Sequence, residues 1–186
     1  MRDTILSHID MSSEAYNALE TSGKLKKLRK GDILSSPSKS ADTMLFVNSG
    51  LLRGYRIVDG KEFTHHFYRE KWFATDYKSF LLGESTELYI ESLTDSECYI
   101  FQKKDLHALY AQYHELESLG RLIAEQAFLI IHQRIVALQV DSLKDRYKHL
   151  IQTNPILFQS VPQKYIASYL GVTEQSFSRI KQTINS

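Results

Sequence analysis

The sequence is short of the residues that several chemistries require. It holds one cysteine, Cys98, in 186 residues. A single cysteine excludes an internal disulfide, a CxxC redox pair and any zinc or iron–sulfur cage built of cysteines alone. The expected compartment is therefore a reducing cytoplasm. Only 3 prolines and 8 glycines are present, so long flexible linkers are not expected. No run approaches ~18 consecutive apolar residues, so no membrane-spanning helix is predicted. The opening Met-Arg-Asp-Thr-Ile-Leu-Ser-His has no secretory apolar core. Low-complexity stretches and fixed-period repeats are also lacking. Neither charge sign dominates: 23 Lys and Arg stand against 22 Asp and Glu, a net charge of +1. Any contact with nucleic acid must come from a local patch.

What is present is ordinary for a soluble globular chain. Hydrophobic residues are 42% and charged residues 24%, and the length fits one to two domains with a sizeable core. Residues 12–22 predict a short helix, capped by Ser12 or Ser13 and ended by Gly23. From 24 to 104 the pattern alternates. Strands are predicted over 43–47, 51–58, 61–68, 87–93 and 97–101, with Asn48-Ser49-Gly50, Asp59-Gly60 and Thr94-Asp95-Ser96 as turns. Asp-Gly between two such runs marks a two-residue hairpin. Strands this short and frequent predict an antiparallel roll or barrel.

From Lys104 the period becomes helical. Leu122, Leu129, Val136 and Leu143 repeat every seven residues, beside a second row of Leu116, Ile123, Ile130 and Ala137. Together they form an a/d-like seam. A helix packed on its own sheet needs a similar stripe. This one is nearly uncharged, and ~25 residues of helix outreach a small roll, so it is expected to pair with a second copy. Charge changes after Val140. Residues 141–186 carry six basic and three acidic residues, against 17 and 19 in the remainder.

The segment 162–184 has the parts of a helix–turn–helix. Ile166, Ala167 and Leu170 share one face, and Gly171 permits the positive φ of the turn. Val172 is expected to fill the space between helices, and Thr173 to cap the second helix with its free N–H groups toward a phosphate. Phe177 and Ile180 face inward. Glu174, Gln175, Ser178 and Arg179 share the outer face, with Lys181 to one side. Arginine can grip guanine in a bidentate way and glutamine can pair with adenine. The same residues would also suit a helical pair that only packs.

The motif Ile166-Ala-Ser-Tyr-Leu-Gly-Val-Thr173, four residues, then Ser178-Arg179-Ile180 resembles that of the Crp/Fnr family of bacterial transcription regulators. The order of roll, seam helix and helix–turn–helix resembles that family over nearly the whole chain. The resemblance implies an α+β fold: an N-terminal antiparallel β-roll similar to a cyclic-nucleotide-binding domain (1–110), a dimerisation helix (111–140) and a small helical DNA-binding domain (141–186). It implies a homodimer on a pseudo-palindrome of double-stranded DNA, with half-sites about one helical turn apart, and contact with RNA polymerase. It places Arg179 at the guanine-reading position and Glu174 and Gln175 at the other base-reading positions. Gln163, Lys164 and Thr173 would contact phosphates, and Ser176, Ser178 and Lys181 complete the DNA-binding set. The family's usual Arg/Glu pair is not kept, so a different site sequence is expected. The chain ends at Ser186, so a full β-wing after the recognition helix is not expected.

The roll departs further from the resemblance. Cyclic-nucleotide-binding domains hold the ribose and cyclic phosphate with Gly-Glu and, later, Arg-Ser or Arg-Thr. Those pairs fall here on Thr75-Asp76 and Thr86-Glu87. The phosphate-neutralising arginine is absent, and Glu87 adds negative charge. Binding of cAMP or cGMP is not expected unless Arg53, Arg56 or Lys78 supplies the charge, and no cofactor is expected. His65, Phe73, Thr75, Asp76, Thr86 and Glu87 are the candidate pocket residues. On an alternating strand Phe63, His65 and Phe67 would line one face, with His65 inward; His65 and His66 point apart and cannot share a metal. The family's iron–sulfur oxygen sensors need several cysteines and are excluded. A cupin-type oxygenase needs a different histidine phase, and no Ser/His/Asp, P-loop or Rossmann pattern is present, so catalysis is not expected. The alternative to a DNA-binding regulator is a roll that binds a ligand or protein and carries a vestigial DNA-binding domain.

Overall fold

A computed structural model of the chain describes residues 1–37 and 42–185; Ser186, on which the expected missing wing depends, lies outside the described residues. Two short helices open the chain, α1 (Arg2–Leu6) and α2 (Ser13–Ser22). Eight strands follow: β1 (Lys24–Leu28), β2 (Ile33–Ser35), β3 (Thr43–Ser49), β4 (Leu51–Val58), β5 (Lys61–Arg69), β6 (Phe73–Ala74), β7 (Tyr89–Ser92) and β8 (Ser96–Gln102). Helix α3 (Tyr77–Leu82) lies between β6 and β7. The rest is helical: α4 (Lys103–Gln112), α5 (His114–Val140), α6 (Leu143–Thr153), α7 (Pro155–Ser160), α8 (Gln163–Tyr169) and α9 (Glu174–Asn185). The chain forms two compact units, one of residues 1–54 and 67–127, the other of 55–66 and 128–186. No described helix is long and apolar enough to cross a membrane.

The strands, which belong to the first unit except for residues 55–66 of β4 and β5, make an antiparallel roll from sheets ordered β1-β8-β3-β6 and β2-β7-β4-β5. Leu45, Val47, Ala74 and Cys98 of the first sheet meet Leu52, Leu88 and Ile90 inside the roll. The opposite side chains of the first sheet are buried too. Met44, Phe46 and Phe101 pack with Tyr16, Leu19, Leu106, Leu116 and Leu119 of the helices. Burial on both faces explains the unbroken apolar run Met44–Val47. Cys98 is fully enclosed, and burial pushes its thiol up to about 11.

Local chemistry sets the ends of the elements. Ser12 caps α2 by accepting the Ala15 N–H at 3.2 Å, and Gly23 closes it. Asp59 and Gly60 both adopt positive φ, +50° and +73°, as a two-residue hairpin loop requires. Strand β1 was not anticipated: in Lys24-Leu-Lys-Lys-Leu28 only Leu28 is buried, so no alternation shows. The helical stretch from Lys104 to Val140 is two helices, divided at Tyr113. Pro155 does more than end α6; it starts α7, where a missing N–H costs nothing.

Strand β5 corrects the predicted phase. Phe63 and His65 are exposed, whereas Thr64 is buried and His66 half-buried. The cause lies in the second unit, where Arg134, Ser168 and Tyr169 cover that side of the strand. Further along, Phe67 and Tyr68 are both buried.

Candidate functional site

The helix–turn–helix is built from α8 and α9. Ile166, Ala167 and Leu170 of the first helix are buried at 1%, 1% and 4% exposure. Gly171 takes φ +73° and lets the chain reverse. Thr173 Oγ1 accepts the Ser176 N–H at 3.2 Å and caps α9. Ser176 Oγ lies 3.1 Å from the same oxygen, so this serine belongs to the cap. Phe177, 1% exposed, anchors α9 against Tyr147 of α6, with ring centroids 5.6 Å apart. Tyr147 also meets Phe158 of α7 edge-on at 5.3 Å.

With that face fixed inward, Glu174, Gln175, Ser178 and Arg179 are exposed on the opposite face of α9. Thr173, Gln163 and Lys164 are exposed near the starts of the two helices, and Lys181 is half-exposed. Lys164 Nζ lies 4.9 Å from the Tyr165 ring centroid, which steadies a cation beside the outer face. The arrangement offers hydrogen-bonding side chains, three cations and the N-terminus of α9, as a polyanion with readable edges requires.

In the roll the six candidate pocket residues separate. A cavity of about 240 Å³ is lined by Lys26, Leu34, Ser35, Thr43, Leu45, Ala74, Thr75, Asp76, Ile90, Ile100 and Gln102. Thr75 and Asp76 belong to it. Phe73 packs on Phe46 with centroids 5.1 Å apart, Glu87 is exposed, and His65 stands exposed in the second unit. Thr86, 2% exposed, donates its hydroxyl to Asp76 Oδ2 at 2.7 Å, and Ser79 donates to the same oxygen at 2.9 Å. Tyr68 nearby donates to the Thr75 carbonyl at 3.3 Å; burial and the negative Asp76 push its hydroxyl well above the usual range.

These residues do not fit a cyclic phosphate. Thr86 stands where the resemblance puts the arginine, and its hydroxyl is committed to a carboxylate that would repel the ligand. Arg53 does not fill the gap: it is fully buried and pairs with Glu91 at 3.0 Å. Lys78 pairs with Glu84 at 3.8 Å on the surface. Sequence reasoning did not find this Asp76–Ser79–Thr86 cluster, because helix α3, which carries Ser79, had no signal of its own.

Residues 128–140 of α5 present a further surface. Phe128, Leu129, Ile131, Ile135, Val136 and Val140 are exposed by 67%, 46%, 44%, 49%, 42% and 76%. Of the predicted seam, Leu129 and Val136 are exposed, and Leu122, Ile123, Ile130 and Ala137 half-buried; Leu116 instead packs into the core of the first unit, and Leu143 falls on α6, beyond the end of α5.

Residues 25–113 match the cyclic nucleotide-binding domain family. Several solved structures share the fold. One is FixK2 from Bradyrhizobium japonicum, at 14% identity over 88% of this chain and 84% of that one, with a TM-score of 0.75. Another, from Eubacterium rectale, is described as a transcriptional regulator of the Crp/Fnr family; it is 17% identical over 95% and 84%, with a TM-score of 0.73. A third is the c-di-GMP-responsive regulator CLP from Xanthomonas campestris, 15% identical over 94% and 92%, with a TM-score of 0.71. No curated protein matches at the level of sequence.

Proposed function

For a chain with a cyclic nucleotide-binding domain at 25–113 and a Crp/Fnr-like fold, we propose the role of a sequence-specific DNA-binding transcription regulator that acts as a homodimer. One observation carries this reading. Helix α9 is capped by Thr173, anchored by Phe177 and exposes Glu174, Gln175, Ser178 and Arg179 together. Such a helix can lie in a major groove, with Arg179 reading guanine and Gln175 and Glu174 reading neighbouring bases. Gln163, Lys164 and the N-terminal turn of α9 contact phosphates. Ser176, bound up in the cap, supports the turn. Lys181 adds charge at the edge.

The exposed apolar stretch 128–140 supports dimerisation. Two recognition helices would then read half-sites about one DNA turn apart. The roll acts as an effector domain for a ligand other than a cyclic nucleotide, or needs none. An effector shifts the DNA-binding arrangement only through different affinity for two states. RNA polymerase is the further partner, and the cytoplasm is the compartment.

The test is selection from a random duplex library with purified protein and no added ligand. A pseudo-palindrome with ~10-bp half-site spacing is the expected product. No enrichment, with or without small-molecule additions, would leave the roll as an interaction module with a vestigial DNA-binding domain.

A further inference from the structure

The end of α8 is held by groups from three other segments. Helix geometry leaves its last carbonyls without intrahelical donors. Arg134 of α5 supplies one: Nη2 donates to the Tyr169 carbonyl at 3.0 Å. The same guanidinium donates through Nη1 to the His65 carbonyl at 2.5 Å and through Nη2 to the Thr64 carbonyl at 3.4 Å. Its carbon lies 4.4 Å from the Tyr169 ring centroid. Ser168 makes a second bridge. Its Oγ accepts the Thr64 N–H at 2.8 Å and donates to the Glu62 carbonyl at 3.2 Å. Arg146 of α6 donates to the Leu170 carbonyl at 3.2 Å.

These contacts differ from ordinary surface hydrogen bonds. Ser168 uses both its donor and an acceptor on one β-hairpin, and Arg134 spans hairpin and helix at once. Thr64, where both bridges meet, is 3% exposed. Residues 55–66 accordingly fall in the compact unit of 128–186 although they continue strands β4 and β5.

We propose that hairpin 55–66 is a strut of the DNA-binding module, and that Arg134 and Ser168 are positioning residues that clamp the end of α8 to it and so aim α9. The inference rests on the reading of α8–α9 as DNA-binding. Gly171 and Val172 alone join the clamped end of α8 to the Thr173 cap. Movement of Tyr169 therefore carries the recognition helix with it.

Hydrogen exchange of the full-length protein, with DNA affinity measured alongside, tests this. Ser168→Ala and Arg134→Lys are compared with wild type and with Ser168→Thr, which keeps the hydroxyl. Lysine keeps the charge but lacks the fork that reaches several carbonyls. Expected is exchange about tenfold faster at both 61–66 and 169–172, with the roll strands unchanged. Affinity for the selected site falls severalfold in both variants, and Ser168→Thr restores exchange and affinity together. Faster exchange at Thr64 alone, or loosening of both segments at unchanged affinity, overturns the proposal. If wild type binds no DNA, the regulator reading fails by itself. Exchange then decides the strut: joint loosening of the two segments upholds it, and independent behaviour overturns it.

Discussion

The Thr86 hydroxyl donates to the Asp76 carboxylate at 2.7 Å, deep in the roll and where the resemblance puts the arginine of the cyclic nucleotide-binding pattern. The position that neutralises a phosphate in that pattern is tied here to an anion. Titration with cAMP or cGMP should give no saturable heat and no rise in melting temperature up to about 1 mM, a ceiling of roughly 4 kcal/mol of binding. Saturation at micromolar concentrations would show that the roll supplies a cation from elsewhere.

The same bond contributes to stability. Thr86→Val keeps the shape, removes one of two hydroxyls on Asp76 Oδ2 and leaves a buried carboxylate short of a donor. A loss of about 1–3 kcal/mol is expected in urea unfolding, with Thr86→Ser recovering most of it.

Arg179 and Lys164 should differ in kind. Arg179→Ala is expected to cost ~1–3 kcal/mol on the selected site and to relax preference at one base pair. Lys164→Ala should weaken binding to all sequences alike and lower the salt slope by about one. Equal losses on every sequence for Arg179→Ala would reduce it to a phosphate contact.

Leu129 and Val136 lie seven residues apart and are 46% and 42% exposed. Replacing both by glutamate should leave the circular dichroism spectrum intact and turn a sedimenting dimer into a monomer. Site affinity should fall with it. An unchanged sedimentation coefficient would move the self-association surface elsewhere.

His66 gives a pH signature. Burial, helped by the positive Arg134, pushes its imidazole down from 6.5 to about 3. The native state thus favours the neutral ring, so its contribution is present above pH ~6.5 and fades as pH falls toward 3. Between pH 7 and pH 5 wild type should lose about 1–2 kcal/mol that His66→Phe does not lose. Parallel pH profiles for the two proteins would contradict this.

Legibility in the sequence followed how local the determinants were. The helix–turn–helix was readable because Gly171, Thr173, Ile166 and Phe177 act within twenty residues, and each took its expected place. The roll was readable as strands but not as a site. Nothing near Thr86 announces that Asp76 and Ser79 meet it, because the meeting depends on α3. On β5 the alternation holds over 63–66 with the inward side wrong, and it breaks at Phe67 and Tyr68, which are both buried. Alternation gives two faces but not the element that covers each one, and here Arg134, Ser168 and Tyr169 made Thr64 and His66 the covered side. The lysines of β1 hid a strand because an edge with one buried residue has no pattern to read.

The enclosed thiol of Cys98 has a practical reach. It is shielded from solvent and held protonated at neutral pH, so alkylating dyes and spin labels will pass it over in the folded protein. The natural chain is thus a silent background for labelling. A cysteine placed at Gln182 on α9 or Asp59 at the hairpin tip would carry the only reporter, with Cys98 left in place.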